Sequence, residues 1–209
     1  MNQTENYERK RLDAIARNEA DATPILKELE AVGLKVDSVA DLFNRKMDYR
    51  RAIPILTSWL HKISNANVKQ DLIRALSVKW AKQSAPLLVV EFERAYDPKG
   101  TGLRWAIGNA LEVLASDKIA DQMIRLATDR RYGRAREMVV LGLGRLKNDE
   151  RVVDVLLALL DDKDVAGHAV MALGRLGAQR AKQPLERFAQ DERQWVRREA
   201  EKALRKLKT

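Results

Sequence analysis

Apolar residues recur along this chain at intervals of three, four and seven, the mark of helices that bury one stripe and wet the rest. The clearest stripe is Leu103, Ile107, Ala110, Leu111 and Leu114. Its register returns five times: an apolar or small residue, then, seven positions on, a small residue followed by leucine. The pairs are Val68 with Ala75-Leu76, Leu103 with Ala110-Leu111, Ala135 with Gly142-Leu143, Val165 with Ala172-Leu173, and Val196 with Ala203-Leu204. Counting from each starting residue, positions +0, +4, +7, +8 and +11 are apolar or small, with Lys79 the exception. Ala or Gly at +7 lets neighbouring helices come close.

A second stripe precedes each of these, marked by Leu56, Leu88, Met123, Leu156 and Leu185. Successive markers lie 32, 35, 33 and 29 residues apart, so each unit is a helical hairpin of about thirty residues. Pro54 and Pro86 suit a helix's first turn. Asn67 and Asp164 are expected to cap the helices beginning at Val68 and Val165. The longest connection spans 96–102 and the shortest 161–164. One hairpin cannot bury its own stripe, whereas stacked hairpins share a continuous core.

The first fifty residues follow the pattern less well. Pro24, Leu26 and Leu29 imitate a first hairpin helix, and Val39, Leu42 and Phe43 a short partner. Residues 4–18 are expected as a polar outer helix with Tyr7, Leu12 and Ile15 facing inward. The expected organisation is a capping segment over 1–50 and one solenoid over 51–209. Its repeats run about 51–81, 82–115, 116–147, 148–177 and 178–209. The fold class expected is all-α, a right-handed α-solenoid of five hairpins behind an N-terminal helical cap.

Composition sharpens this picture. Aromatic residues make up 5% of the chain and hydrophobic residues 45%, mostly Ala, Leu, Val and Ile, a mix that favours helices. The absence of cysteine excludes disulfides, thiolate metal sites and cysteine nucleophiles, and fits a cytoplasmic setting. The N-terminus has no apolar core of a signal peptide, and no stretch is apolar for long enough to cross a membrane. Net charge is +9, from 39 basic and 30 acidic residues. The excess invites nucleic acid as a partner, but acidic residues are interleaved nearly everywhere.

The strings DVAGHAVMALGRLG (164–177) and QWVRREAEKALRKL (194–207) resemble HEAT repeats of the short bacterial type, also found in phycobilin-lyase-like proteins. The resemblance covers about 51–209 and implies a curved superhelix whose second helices line the concave face. It says little about activity, because such repeats serve as scaffolds, lyase subunits, hydroxylases and DNA-binding enzymes.

Candidate chemistry is sparse. The HEAT-like hydroxylases carry His-Glu pairs that hold two irons, but here Lys62 follows His61 and Ala169 follows His168, so neither metal nor cofactor is expected. No nucleophile elbow, P-loop or dinucleotide fingerprint occurs. Some alkylpurine DNA glycosylases are HEAT-like and use tryptophan, aspartate and arginine. Trp59, Trp80, Trp105 and Trp195 do not match that motif residue by residue.

One cluster stands out. Trp105 lies at +2, off the apolar stripe and four residues before Asn109. Arg104 precedes it, and the next unit brings Tyr132, Arg134 and Arg136 into neighbouring rows. The fourth unit places Ala166 and Gly167 there instead, which predicts a hollow rimmed by Arg136, His168 and Arg175. The binding patch expected on the concave face is therefore Arg104, Trp105, Asn109, Tyr132, Arg134, Arg136 and His168. Arg175, Arg197 and Arg198 stand as further anion contacts. Guanidinium groups beside aromatic faces suit a phosphate, a nucleobase or an acidic peptide. The competing reading has these arginines in ordinary ion-pair ladders between repeats. The function expected is a non-enzymatic scaffold for a protein partner. The alternatives are a nucleic-acid-binding solenoid, akin to the glycosylases, and a lyase- or chaperone-like role implied by the resemblance alone.

Overall fold

A computed structural model describes residues 3–97 and 102–207. The connection expected at 96–102 therefore lies partly outside the described residues. The chain is all-α, with no strand among those residues. Its contacts separate two compact units, Met1–Ser84 and Ala85–Thr209.

The first unit contains α1 (Gln3–Ala31), α2 (Asp41–Asn44), α3 (Ile53–Trp59) and α4 (Ala66–Leu76). α1 runs straight through Pro24, joining into one helix the two segments expected on either side of it. It ends at Gly33, whose φ of +78° is a left-handed conformation that costs glycine little. Only Ile25 and Leu29 of α1 are buried. Tyr7, Leu12 and Ile15, expected to face inward, are 71%, 60% and 43% exposed. Full burial in α1 is confined to its C-terminal part, where Ile25 and Leu29 lie.

α3 and α4 form the first hairpin. The cap of α4 is Asn65, not the expected Asn67: its side chain accepts from the N–H groups of Asn67 and Val68, at 3.0 and 3.3 Å. The same side chain donates to Asn18 and Asp21, tying α4 to α1. Tyr49 is buried, donates to the Ala75 carbonyl at 3.0 Å and meets the edge of Trp80.

The second unit is a stack of four hairpins, an α-solenoid. The pairs are α5 (Ala85–Arg94) with α6 (Leu103–Leu114), and α7 (Ala120–Thr128) with α8 (Glu137–Leu143). They continue with α9 (Arg151–Leu159) and α10 (Ala166–Leu176), then α11 (Lys182–Glu186) and α12 (Gln194–Lys206). The markers Leu88, Met123, Leu156 and Leu185 are all fully buried, as are Ile107, Leu111, Leu143, Leu173 and Val196. Phe92 fills the space beneath α6, also at 0% exposure; truncating a buried Phe costs about 3–5 kcal/mol.

The second helices α6, α8, α10 and α12 pack on one another in sequence. Their joints follow one rule: position +9 of each helix meets the small +7 residue of the next. A Cβ on Gly142 would lie 3.1 Å from the Cα of Glu112. One on Gly144 would lie 2.8 Å from the Cα of Ala172, and one on Gly174 2.6 Å from the Cβ of Ala203. At every joint one of the two positions must be glycine, since two side chains would not fit at van der Waals distance.

Helix entries use a second recurring device, an Asp two residues before an Arg. In Asp48/Arg50, Asp129/Arg131, Asp149/Arg151 and Asp191/Arg193 the carboxylate accepts the arginine's backbone N–H at 2.9–3.1 Å. It also pairs with the same residue's guanidinium at 2.6–2.9 Å. The side chain thereby satisfies an orphan N–H of the coming helix while its charge is balanced locally. In the second unit that arginine hydrogen-bond leads the causes that hold Asp129, Asp149 and Asp191 below the usual carboxylate range.

Candidate functional site

The fourth hairpin keeps the Asp-x-Arg device at its entry, in Asp149/Arg151, but its inner turn breaks it, and the break organises its surroundings. Asp162 accepts the Asp164 N–H at 3.2 Å, but position 164 carries a second aspartate where the inner turns of the third and fifth hairpins have Arg131 and Arg193. The missing cation is supplied by Arg136 of the preceding hairpin. Arg136 is 0% exposed, and its Nη1 stands 2.9 Å from Asp162 Oδ2. The approach is off-axis, so Asp162 Oδ2 and Arg136 Nη2 have no aligned hydrogen-bond partner. Nη2 lies 3.8 Å from Asp164, and Arg130 stands 3.5 Å from Asp162 on the solvent side. Burial pushes the Asp162 carboxyl up, but Arg136, the Asp164 N–H and Arg130 together hold it below the usual range. Asp164, expected to cap α10, does not do so: the helix starts at Ala166 without a side-chain cap, and Asp162 accepts a turn N–H instead.

Arg136 was expected on a binding surface; it is interior. Arg104 and Arg197 share its position, +1, and its habit. Side chains at a helix start lean toward the N-terminus, which aims +1 at the hairpin's own turn. Arg104 donates to the carbonyls of Phe92, at 3.0 Å, and Ala95. Arg136 donates to those of Ala127 and Gly133, at 3.1 and 2.9 Å. Arg197 donates to those of Asp191 and Glu192, at 2.7 and 2.9 Å. These guanidiniums cap the orphan carbonyls where the first helix or its turn ends.

The remaining patch residues separate into smaller groups. Arg104 also lies over the Tyr132 ring, 4.8 Å from its centroid, and Tyr132 meets Phe92 edge-on. Arg134 is exposed and bonded to Glu137 at 2.8 Å. Asn109 donates to the Trp105 carbonyl within α6. Trp105 itself remains 41% exposed. Arg175 pairs with Glu112 at 2.6 Å, and Arg198 is exposed on α12.

The hollow expected at Ala166-Gly167 is filled. The Trp195 ring of the next hairpin occupies the space a Cβ on Gly167 would take, with its centroid 5.3 Å from that of His168. Burial lowers the His168 pKa, and Arg134 and Arg193 lower it further, while Glu137 opposes them. Trp195 thus packs on Gly167 and His168.

Elsewhere in this unit arginines are paired across hairpins. Arg125 meets Glu93, Arg151 meets Asp121, and Arg180 meets Asp154, each at 2.7 Å. Such exposed pairs add little stability individually, at most about 1 kcal/mol, but they leave few bare guanidiniums. The outward side of the second helices carries Trp105 and Asn109, Met171 and Lys202, with Met138 and His168 at the edge of the buried stripe. It mixes aromatic, thioether and polar groups.

Among the described residues no three His, Cys, Asp or Glu side chains come together as metal donors. No helix among them is long and apolar enough to cross a membrane. The residues that sequence reasoning missed were legible only as the repeated Asp-x-Arg string and as Glu112, a lone carboxylate between Leu111 and Leu114.

Residues 160–209 match the family model for HEAT repeats, which identifies the repeat and not its subtype. No curated protein matches the chain.

Proposed function

We propose that the chain, whose residues 160–209 match HEAT repeats, is a non-enzymatic scaffold that binds a protein partner on the exposed face of the second helices in its second unit. One observation carries this reading. That face presents Trp105, 41% exposed, and the half-buried Met138 and Met171 on the following helices, while the neighbouring guanidiniums serve carbonyls and carboxylates of the chain itself. Exposed aromatic and methionine side chains on rigid helices are anchors for protein surfaces. The cysteine-free composition supports a cytoplasmic setting for the complex.

The test is site-directed photo-crosslinking in the producing cells. Probes at Met138 and Met171 should capture one partner, and Trp105→Ala should abolish that product while helicity stays unchanged. Capture from first-helix positions alone, such as Glu186, would overturn the assignment. The basic excess favours nucleic acid as the second reading, and salt decides it. Phosphate binding weakens steeply with salt, so retention on DNA at about 50 mM that falls away at higher salt would replace the scaffold reading.

A further inference from the structure

A groove of about 220 Å³ lies between α1 and α4 in the first unit. Val39 and Val68 are buried at its base, and Ala22 and Leu26 continue the apolar lining. Its walls are held in place by the chain itself. Asn65, which caps α4, donates to Asn18 and Asp21 of α1 at 2.9 and 2.8 Å. Asp41 accepts the N–H groups of Asp37 and Ser38 at 2.9 and 3.1 Å, which fixes the third side.

Three carboxylates, Glu19, Asp37 and Asp71, stand around the apolar base. Asp37 is answered by Arg45 at 2.7 Å, a guanidinium it shares with Asp41. Among the described residues no cation stands within ion-pair distance of Glu19 or Asp71. Burial holds the Asp71 carboxyl above its ordinary range, and Arg74, three residues on, offsets this only in part. The charge left over is negative, on a chain whose net charge is +9. An apolar base under separate carboxylates fits a single cation on an apolar stem better than a metal ion.

We propose that this groove takes a lysine side chain from a basic segment of a partner protein, with its methylene stem on Ala22, Leu26, Val39 and Val68 and its ammonium toward Glu19 and Asp71. Long cationic side chains bury their stems on apolar surface while the charge stays at the rim. The space holds one unbranched chain, which suits lysine's compact ammonium. Walls already in place spare the cost of ordering them on binding. The site belongs to the first unit and is independent of the face proposed for the second.

The experiment titrates the full chain into a fluorescein-labelled peptide with a central lysine among alanines and serines. The same peptide with acetyl-lysine keeps the stem and loses the charge. Anisotropy reads affinity, and methyl NMR reads Leu26, Val39 and Val68. The lysine peptide should bind, weaken with salt, move those methyl signals, and lose about fivefold or more in affinity with Asp71→Asn or Glu19→Gln. Asp71→Asn removes a charge that burial disfavours, so its melting temperature should stay level or rise. Glu19 is exposed, so its variant carries the test even if Asp71→Asn fails to fold. The proposal is overturned by no binding of the lysine peptide, by equal affinity for the acetyl-lysine peptide, or by undiminished binding to the folded variants. Sedimentation of the chain alone tests the other occupant. Self-association abolished by Glu19→Lys would give the groove to a second copy and overturn the partner assignment; a monomer supports it.

Discussion

Arg136 and Asp162 sit in the interior, each with a polar atom that has no aligned partner. Removing one member of a buried pair strands the other charge, at a cost of about 3–5 kcal/mol. Arg136→Met should therefore lower stability by that amount in urea unfolding, and adding Asp162→Leu should recover part of it; a loss under about 1 kcal/mol would contradict the pairing. His168 makes a second prediction. Its folded pKa lies below the ordinary value of about 6.5. Below about pH 6.5 the unfolded chain therefore binds a proton that the fold resists, and stability falls as pH falls. His168→Gln should flatten that slope between pH 7.5 and 5.5, measured as the urea midpoint. The sequence placed His168 on the rim of a hollow but could not show Trp195 filling it, because that contact crosses hairpins. Arg136 was misplaced for a related reason. Counting offsets locates a side chain on a helix but not the direction in which it leans, and at +1 the lean is inward.

At the scale of the helix, the stripe positions were legible throughout the second unit. Leu103, Ile107, Leu111 and their counterparts needed only the period of an α-helix. What the period could not supply was the partner of each small residue. Gly144 looked like one more small position; in the folded chain its α-carbon faces the Ala172 backbone. Gly144→Ala should favour the isolated helix and yet destabilise the protein, because the added methyl must displace backbone rather than a flexible side chain. Overpacking of this kind costs about 1–3 kcal/mol, readable as a lowered melting temperature; a raised one would show that the joint yields. α1 fails the periodic reading in the opposite sense. Tyr7, Leu12 and Ile15 carry an apolar pattern and yet stay exposed.

At the scale of the molecule, a solenoid's stability accumulates from neighbour to neighbour, and here the joints differ from one another. Glu112 meets Gly142, whereas Gly144 and Gly174 meet alanines. The hairpins are therefore not interchangeable modules. Excising the third one whole, 116–147, would keep every buried stripe in register, yet it would set Glu112 against Ala172, a joint with no glycine. The order of the hairpins is written at their seams. Lineages that lengthen or shorten this array by gene duplication must copy the seam residues together, or pass through a chain whose ends no longer fit.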